Sequence, residues 1–450
     1  MTTLPDRCNV LLIGTGGREH ALAWKLVQSR RLGTLWVQPD ANAGILALGT
    51  PCPAPFTPRE RFFLKSWLDR NDVHLVVVGP EVPLAEGIVD DLQAPGRRVF
   101  GPVKDAARLE FDKAFAKQVM RQANVPTADG RSFSNLEQAK AYVQARDVPM
   151  VVKAAGLCAG KGVTVCDDAA QAVAALDACM RLRAFGDAGT TVVIEERLVG
   201  QEMSVLALVD GRTITVLDPC QDHKQVGEGD TGPNTGGMGS YCPTPLAAEG
   251  IMESIGRDVL VPTVDALRRD GIEFRGVLYA GMMLTPGGPK VLEFNTRFGD
   301  PETQSIMPRL QGDLVEILWR TAGGELEAAE IDFDPRAACC VVVCSAGYPG
   351  AVTTGHAIHG IEDAERCGRA GEQVIVFHAG TAPGADGRPV TAGGRVLGVT
   401  ALADSLQRAR DLATEAAGRI RFTGAFFRRD IGHRVLPAAA AGRAVGAPNA

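Results

Sequence analysis

The sequence lacks the features that mark several broad classes of protein. None of its 11 cysteines forms a Cys-x-x-Cys pair, and Cys339, Cys340 and Cys344 lie in an apolar stretch typical of a buried strand. No apolar run approaches the ~20 residues needed to cross a bilayer, and the first residues have no signal-peptide core. We therefore expect a globular protein of a reducing cytoplasm, without a membrane partner.

The chain also has little net charge. Its 47 basic and 53 acidic residues give a formal net charge of −6, which argues against nucleic acid as a bulk electrostatic partner. With 450 residues, of which 45% are hydrophobic, it is long enough for two or three domains with separate cores. Any anionic ligand is therefore expected to be small and held in a local pocket.

Alternating strand-like and helix-like runs open the chain and predict an α/β fold. Residues 9–13, 34–37 and 74–78 indicate strands, and residues 19–29 indicate a helix, which is the pattern of a parallel sheet covered by helices. Further along we predict one helix over 105–124, a glycine hairpin over 150–165 and a long polar loop over 221–239. The expected division is 1–108, 109–329, 330–436 and a flexible tail at 437–450.

The segment from Lys290 to Glu302 concentrates the most informative polar residues. Because side chains alternate along a strand, Glu293 and Asn295 are expected on one face, where a carboxylate and an amide oxygen suit Mg²⁺. Arg297 then offers a fork of donors for a carboxylate or phosphoryl group, and Asp300 with Pro301 predicts a capped helix start. The alternative is an ordinary strand edge with a surface ion pair.

Two glycine-rich turns predict anion binding. Gly14, Gly16 and Gly17 follow a strand and open a helix, but Glu19 stands where the dinucleotide fingerprint needs glycine, so a phosphate suits this turn better than NAD. In the second turn Lys153 and Lys161 flank the loop of a hairpin that could close over phosphates, and its spacing is not that of a Walker A loop. Unliganded glycine turns are the alternative in both places.

Two further segments carry polar groups after apolar strands. Residues 191–202 form a strand and a connector whose backbone could meet an adenine edge, with Glu202 able to accept from ribose hydroxyls, although an ordinary strand end is the alternative. In the 221–239 loop, Asp222, His223 and Lys224 suit a pocket for an amine and a phosphoryl group. His223 alone is expected to be a structural hydrogen-bonding residue rather than a base.

Taken together these motifs resemble the ATP-grasp ligases and, within them, the phosphoribosylamine–glycine ligase family of purine synthesis. The likeness covers about residues 8–433 and includes the third unit. It rests on Gly-Gly-Arg-Glu-His-Ala-Leu-Ala-Trp at 16–24, Asn-Ala-Gly at 42–44, Val-Gly-Pro-Glu-Val-Pro-Leu at 78–84, Gln-Asp-His-Lys at 221–224, Asp-Thr-Gly-Pro-Asn-Thr-Gly-Gly-Met-Gly at 230–239 and Glu-Phe-Asn-Thr-Arg-Phe-Gly-Asp-Pro-Glu at 293–302. The resemblance implies a Rossmann-like amino-terminal domain, an ATP-grasp domain and a small α+β carboxy-terminal domain.

The resemblance also implies a role for each matching residue, with ATP, glycine and 5-phosphoribosylamine as substrates of a monomer. The catalytic residues would be Arg297, Lys153, Asp222 and Lys224. The implied sets are Lys113, Lys153 and Lys161 for ATP phosphates, Glu195 and Leu198 for adenine, Glu202 for ribose, Glu293 and Asn295 for Mg²⁺ or Mn²⁺, Gly16, Gly17, Asn42 and Glu81 for phosphoribosylamine, and Asp222, Lys224 and Arg297 for glycine and its acyl phosphate.

Three positions depart from the family pattern. Ala155 stands in place of an Asp in the phosphate loop, Phe111 with Asp112 replaces a smaller pair, and Gln225 replaces a frequent Arg. The implied reaction is ATP-dependent ligation through a glycyl phosphate, because a free carboxylate is a poor electrophile for an amine. Open alternatives are another ATP-grasp ligase or carboxylase, an NAD-dependent dehydrogenase, and a nucleotide-binding regulatory module without turnover.

Overall fold

A parallel sheet forms the amino-terminal unit, as the alternating pattern predicts. A computed structural model of the protein describes residues 3–158 and 161–436. The five strands are all parallel, in the order β3-β2-β1-β4-β5. The strands are β1 Cys8–Ile13, β2 Leu32–Val37, β3 Thr50–Pro51, β4 Val73–Val78 and β5 Arg98–Phe100, and the helices are α1 Gly17–Leu26, α2 Ala43–Leu48, α3 Arg61–Arg70, α4 Glu81–Ala85 and α5 Ile88–Leu92.

Two helices, α6 Lys104–Phe111 and α7 Lys113–Gln122, follow where one helix was predicted over 105–124. That prediction is wrong because Asp112 leaves the helical region, with φ −133° and ψ 88°. Its carboxylate accepts the Phe115 N–H at 3.0 Å and so begins a second helix. The break places Lys113 at the first position of α7.

An antiparallel four-stranded sheet with the order β6-β9-β7-β8 comes next, and the glycine hairpin predicted over 150–165 lies in it. Its strands are β6 Gly130–Phe133, β7 Met150–Ala154, β8 Val163–Cys166 and β9 Val192–Glu196, and its helices are α8 Leu136–Gln144 and α9 Ala169–Leu176. Gly160 of the hairpin lies outside the described residues.

The polar stretch 221–239, predicted as one long loop, contains short strands. Two of them pair as a small hairpin, β13 with β14, and the other two join a larger sheet. The strands from 201 to 242 are β10 Gln201–Asp210, β11 Ile214–Val216, β12 Gln221–Asp222, β13 Gln225–Gly227, β14 Thr231–Asn234 and β15 Gly239–Cys242. These strands were not predicted because the residues of β12 to β14 do not alternate between apolar and polar side chains.

A second four-stranded antiparallel sheet, in the order β11-β10-β16-β17, faces the first. It is built with α10 Glu249–Ile255, α11 Val261–Arg269, β16 Arg275–Thr285 and β17 Gly288–Asn295. Lys153 of β7 links the two sheets by donating its Nζ–H to the Leu292 carbonyl of β17 at 2.9 Å, and the Val291 N–H donates to the carbonyl of Pro126, in the loop before β6, at 2.8 Å. Polar side chains from both sheets therefore gather around the end of β17.

The carboxy-terminal sheet draws strands from two distant parts of the chain. Its order is β12-β15-β20-β24-β21, with β25 beside β20, so residues 221–242 share a sheet with residues 337–426. The remaining elements are α12 Glu302–Ile306, β18 Leu310–Gln311, α13 Leu314–Gly323, β19 Asp332–Phe333, β20 Ala337–Ser345, α14 Ile361–Glu365, β21 Gln373–His378, β22 Thr381–Pro383, β23 Pro389–Thr391, β24 Arg395–Ala403, α15 Leu406–Ala417 and β25 Ala425–Phe426.

Asp300 does not cap the helix that follows it, contrary to the prediction. Pro301 occupies the cap position of α12, after a cis peptide bond, without a side-chain cap. The Asp300 carboxylate instead accepts from Gln304 Nε2 at 2.8 Å and lies 3.3 Å from Arg395 Nη1. The acid at this helix start therefore serves contacts between units.

The amino- and carboxy-terminal units pack directly on each other through histidines. His20 Nδ1 on α1 accepts the His378 N–H at 2.7 Å, and the two rings meet edge to face at 5.4 Å. One hydrophobic core contains Leu22, Leu206 and Phe377, which come from the three successive regions of the chain. None of the helices in the described ranges is long and apolar enough to span a bilayer. The predicted tail at 437–450 lies outside the described residues.

Candidate active site

The end of β17 presents a carboxylate and an amide on one face. Glu293 and Asn295 pair with Gly281 and Tyr279 of β16, and both are half-buried, whereas Phe294 between them is 2% exposed and packs in the core. Within residues 3–158 and 161–436, no side chain or amide forms a hydrogen bond or ion pair with the Glu293 carboxylate. A half-buried carboxylate without a protein partner suits a bound cation.

Arg297, two residues beyond β17, is held by its two terminal nitrogens. Nη1 donates to the Phe298 carbonyl at 3.0 Å, and Nη2 lies 3.0 Å from Glu110 Oε1. Nε lies 3.3 Å from Glu81 Oε2 but without hydrogen-bond geometry, so this buried N–H has no acceptor in the described part of the chain. Burial disfavours the charged form, but Glu110 and Glu81 outweigh it and raise the pKa of Arg297. Arg297 is a fixed cation with an unused donor.

Glu110 belongs to this site and was missed by the sequence analysis. It is 8% exposed on α6, and its Oε2 accepts both the backbone N–H of Thr296 at 2.8 Å and the Thr296 hydroxyl at 3.2 Å. Burial raises the pKa of Glu110, although Arg297 opposes the rise. Its position, three and four residues after the buried Ala107 and Ala106, was the available signal, because an acid on the core face of a helix needs a partner.

Two lysines share the buried carboxylate of Glu195 on β9. Lys117 Nζ lies 2.9 Å from Glu195 Oε1, and Lys153 Nζ lies 2.7 Å from Oε2. Lys117 also donates to the Thr127 hydroxyl and the Ala128 carbonyl, so its three donors are used. Lys153 has only the Leu292 carbonyl besides Glu195 among its partners in the described ranges. Lys117 was not identified from the sequence, and no spacing signal distinguishes it.

The hairpin between β7 and β8 rests on the start of α7. Lys113 donates its backbone N–H to the Ala155 carbonyl at 2.9 Å, and its Nζ donates to the Gly156 carbonyl at 3.1 Å. Lys161 is exposed near the tip, and Leu198 is half-buried beyond β9. Because the Glu195 carboxylate is occupied by lysines, an adenine contact at this strand end would have to use backbone groups.

Asp222, Lys224 and Glu202 form a second charged group on the neighbouring strands. Lys224 Nζ lies 2.6 Å from Glu202 Oε2. Burial opposes the charge, but Glu202, Asp222 and Glu293 raise the pKa of Lys224, and Lys224 in turn lowers the pKa of Glu202. Burial, together with Glu302 and Glu202, raises the pKa of Asp222 to about 7 against the pull of Lys224. The group thus combines a stable ammonium with an acid that titrates near neutrality.

Glu302, which the sequence analysis gave no role, is the buried acid behind Asp222. It is 3% exposed, and its Oε1 accepts the Tyr279 hydroxyl at 2.6 Å and the Ser204 hydroxyl at 3.1 Å. Burial and the nearby Glu302 raise the pKa of Tyr279 well above its ordinary value, which keeps this phenol a donor. The signal for Glu302 was its place inside the polar segment after β17.

The amino-terminal glycine turn is organised by its own side chains and by the other units. Gly16 N–H donates to Glu19 Oε2 at 2.8 Å, and a Cβ on Gly17 would stand 2.7 Å from Gln304 Nε2. Asn42 Nδ2 donates to the carbonyls of Thr15, Gly16 and His378, while Oδ1 accepts from the Ile45 N–H. Asn42 therefore fixes the shape of the turn against the carboxy-terminal strand β21.

Glu81, at the first position of α4, faces the same region from the amino-terminal unit. Burial raises the pKa of its carboxyl, but Arg297 and Arg18 outweigh burial, so the net pKa is lowered. The contacts around β17 thus bring together Glu81, Lys153, Lys224 and Arg297 with the predicted metal ligands. They do not include Leu198 or Lys161.

His223, Asp230 and His433 place three potential metal-ligand atoms within 4.8 Å of one another. However, the Asp230 carboxylate is already 3.0 Å from Arg428 Nη1 and 2.7 Å from Arg434 Nε. His223 Nε2 accepts the Gly432 N–H at 2.8 Å, which leaves Nδ1 to face Asp230. Two guanidinium groups at the carboxylate disfavour a cation, so this cluster is a hydrogen-bonded anchor for the last described residues.

The three positions that depart from the family pattern lie at Ala155, Phe111 and Gln225. Ala155 is 6% exposed, and its backbone forms hydrogen bonds with the backbone of Lys113 and Thr191. Phe111 packs on the amino-terminal core, and the Gln225 carbonyl accepts from Arg428 Nη1 at 2.9 Å. None of the three forms a side-chain hydrogen bond or ion pair with Glu293, Asn295 or Arg297 in the described structure.

Comparison with known proteins gives a consistent result over most of the chain. Family models of phosphoribosylglycinamide synthetase match its N domain at residues 8–110, its ATP-grasp (A) domain at 111–303 and its C domain at 338–434. A phosphoribosylamine–glycine ligase from Rhodopirellula baltica is 48% identical over 439 residues, covering 96% of this chain and 98% of that protein.

Solved structures agree with the sequence comparison. The crystal structure of phosphoribosylamine–glycine ligase from Thermotoga maritima superposes with a TM-score of 0.79 at 32% identity, covering 94% of this chain and 99% of that one. The biotin carboxylase domain of a Hydrogenobacter thermophilus 2-oxoglutarate carboxylase, solved with MgADP and bicarbonate, has a TM-score of 0.70 at 17% identity, covering 93% and 91% of the two chains. The latter likeness is one of fold.

Proposed function

The chain belongs to the phosphoribosylglycinamide synthetase family, and from this premise we propose how its residues act. It is an ATP-dependent ligase that carries out the phosphoribosylamine–glycine ligase step of purine synthesis. The reaction joins the carboxylate of glycine to the amine of 5-phosphoribosylamine. We infer that the glycine carboxylate first becomes an acyl phosphate, because only then does its carbonyl carbon accept an amine.

The observation that supports this assignment best is the set of groups around the end of β17. Among the residues that the structure describes, the Glu293 carboxylate has no hydrogen-bond or ion-pair partner, Arg297 has an unused Nε–H, and Lys153 has spare donor capacity. Glu293 and Asn295 would hold Mg²⁺ or Mn²⁺, which neutralises charge on the transferred phosphoryl group when bound. Lys153 and Lys113, with Lys161 from the hairpin tip, would contact the phosphates of ATP as point charges.

The nucleotide itself would lie between the two four-stranded sheets. Backbone groups near Glu195 and Leu198 would meet the adenine edge, and Glu202 would accept from a ribose hydroxyl once its pairing with Lys224 is shared with the ligand. Lys224 would then lie beside the phosphoryl group being transferred. Its raised pKa keeps it a cation throughout the reaction.

Arg297 would bind the glycine carboxylate through its unused Nε–H. One carboxylate oxygen attacks the γ-phosphorus of ATP, which forms the acyl phosphate and releases ADP. The same guanidinium would then stabilise the oxyanion that forms when the amine attacks, a contribution of about 3 kcal/mol for comparable donors. Its pKa, raised by Glu110 and Glu81, ensures that the charge is always present.

The amine of phosphoribosylamine would approach from the amino-terminal unit. Gly16 and Gly17 would line the phosphoribosylamine site, Asn42 would hold their turn, and Glu81 would face the sugar or its amine. As nitrogen bonds to the carbonyl carbon, the bond to the phosphate oxygen breaks and one proton leaves the amine. Asp222, whose pKa is about 7, would accept it in its ionised form.

An isotope experiment tests this proposal. Oxygen from ¹⁸O-labelled glycine carboxylate should appear in the released inorganic phosphate, with ADP as the nucleotide product. We expect Arg297→Ala to lower this turnover by about 100-fold with little effect on ATP binding, because its partner is the acyl group. Formation of AMP and pyrophosphate, or ligation without transfer of label, would show that the mechanism is wrong.

A further inference from the structure

The guanidinium of Arg297 has two carboxylate neighbours with different surroundings. The Glu110 side chain is 7% exposed and the Glu81 side chain 27% exposed. Glu110 lies 3.0 Å from Nη2, whereas Glu81 lies 3.3 Å from Nε without hydrogen-bond geometry. The two acids therefore differ in what they can do for this arginine.

Glu110 is fixed on both oxygens. Oε2 accepts the backbone N–H and the hydroxyl of Thr296, which immediately precedes Arg297, and Oε1 meets the guanidinium. A carboxylate held in this way from α6 defines the position of the Nη2 end of the guanidinium plane, while the Phe298 carbonyl defines the Nη1 end. The remaining donor, the buried Nε–H beside Glu81, is the one without a hydrogen-bond acceptor in the described ranges.

We propose that Glu110 is the positioning residue for Arg297, holding the guanidinium so that its Nε–H edge faces the glycine carboxylate and then the acyl group. This inference rests on the role proposed above for Arg297. Glu110 stays paired throughout the reaction, whereas the looser contact with Glu81 gives way when the carboxylate of glycine arrives. Pre-orientation of this kind lowers the cost of aligning the reacting carboxylate.

The pairing also has a consequence for charge. Two ionised carboxylates in contact with one arginine would together repel a third carboxylate, because the group would carry a net negative charge. Because only Glu110 is fixed, the Glu81 side chain can turn toward a cationic or hydroxyl-bearing substrate group as glycine binds. Loss of Glu110 should therefore weaken glycine use specifically, since the guanidinium would then swing toward Glu81.

The test uses Glu110→Gln, which keeps the volume but loses the charge, and Glu110→Asp, which keeps the charge. We expect Glu110→Gln to raise the KM for glycine and lower kcat, together by at least about 30-fold in kcat/KM, with the KM for ATP changed less than about twofold. Glu110→Asp should recover part of that loss. Glu325→Gln is the matched control, because it removes a carboxylate from the interface pair with Arg98, away from β17.

A double-mutant comparison separates positioning from a merely structural role. If Glu110 acts through Arg297, Glu110→Gln should cost much less in an Arg297→Lys background than in the parent protein. Thermal unfolding of each variant reports whether a loss of activity reflects a loss of fold. Fully additive effects, or an equal rise in the KM for ATP and glycine, would overturn the assignment.

The same measurements distinguish this inference from the role of Arg297 itself. Normal glycine kinetics in Arg297→Lys and Arg297→Ala would show that the proposed function of Arg297 is wrong. Impaired Arg297 variants beside a normal Glu110→Gln protein would overturn only the positioning role of Glu110.

Discussion

At the residue scale, the charged groups of the site differ in how many of their bonds the protein itself uses. Lys117 donates its three N–H groups to Glu195, Thr127 and Ala128, so it holds the Glu195 carboxylate in place. Lys153 shares that carboxylate but keeps a donor for a ligand among its described surroundings. The site is thus built from pairs in which one member is fixed and the other remains available.

Glu293 gives the sharpest prediction at this scale. Glu293→Ala should lower turnover by at least about 100-fold with an unchanged thermal midpoint, because a divalent cation loses its charged ligand while Phe294 keeps its core contacts. The measurement is ADP release at saturating ATP, glycine and phosphoribosylamine, with circular dichroism as the folding check.

Glu196→Ala is the control for this substitution. Glu196 is an exposed acid at the end of β9 that pairs with Lys290 at 2.8 Å, and its loss should leave turnover within about twofold. Near-normal activity of a folded Glu293→Ala protein would contradict the assignment of Glu293 as a metal ligand.

At the element scale, the break between α6 and α7 places a helix start at the base of the hairpin that we propose binds the nucleotide phosphates. Asp112 ends one helix and caps the next, which places Lys113 against the carbonyls of Ala155 and Gly156 at the base of the hairpin. A continuous helix through this point would carry Lys113 elsewhere. The cap is therefore expected to affect both stability and nucleotide use.

Asp112→Ala should destabilise the protein by about 1 kcal/mol, as loss of a helix cap does, and should also raise the KM for ATP severalfold. Asp168→Ala is a matched control, because Asp168 caps α9 in the same way by accepting the Gln171 N–H at 2.8 Å. We expect the control to show a similar loss in urea unfolding without a change in the KM for ATP. If the KM for ATP is the same in the Asp112→Ala and Asp168→Ala variants, the Asp112 cap does not contribute to nucleotide binding.

The hairpin between β7 and β8 gives a second prediction for an element. If it closes over ATP phosphates, tryptic cleavage at the exposed Lys161 should slow by at least about tenfold when MgATP is added. Cleavage at the exposed Arg212, in the turn after β10, serves as the internal control and should not change. The same rate at Lys161 with and without nucleotide would show that the hairpin is not a phosphate lid.

Elements with strong local patterns could be predicted from the sequence, and those that depend on distant partners could not. The strands β1, β4 and β20 follow from their local apolar composition. The strands within 221–239 and the position of Glu110 depend on contacts with residues far along the chain, whereas the two-helix break rests on a local cap at Asp112 that the helical pattern of 105–124 concealed. The resemblance to a family supplied the candidate residues but not their mutual pairing.

At the scale of the whole molecule, buried neutral histidines join distant parts of the chain. His20 and His378 link the amino- and carboxy-terminal units, and His223 anchors residues 428–434. Burial lowers the pKa of His20 to about 3, that of His378 to about 4 and that of His223 to about 4. Each ring therefore stays uncharged in the folded protein well below neutral pH.

These shifts predict a loss of stability in weak acid. A histidine whose folded pKa lies below its unfolded value of about 6.5 takes up protons only on unfolding, so its contribution is complete above that pH. As the pH falls from about 6.5 toward the folded pKa, the contribution declines, by about 2 kcal/mol for each histidine at pH 5. Urea unfolding at about pH 7.5 and about pH 5 should show the combined loss.

His20→Asn tests the contribution of one ring, because the Asn side chain can still accept the His378 N–H without titrating. The variant should lose about 2 kcal/mol less than the parent between those pH values. His359→Asn, at an exposed position, should leave the pH dependence unchanged. If the free energy of unfolding has the same pH dependence in the parent and in His20→Asn, the His20 ring does not make the proposed contribution.

The sheet that combines β12 and β15 with β20 and β24 also determines when this part of the protein can fold during translation. β15 ends at Cys242, and its neighbour β20 ends at Ser345, about 100 residues later, a delay of about 5 to 20 s at ordinary rates of translation. Until then the edge that carries Asp222 has no sheet to join. Because the nascent chain must wait for its carboxy-terminal strands, we expect a ribosome-bound fragment ending near residue 330 to leave residues 221–242 open to protease, and nucleotide chemistry to begin only after release of the finished chain.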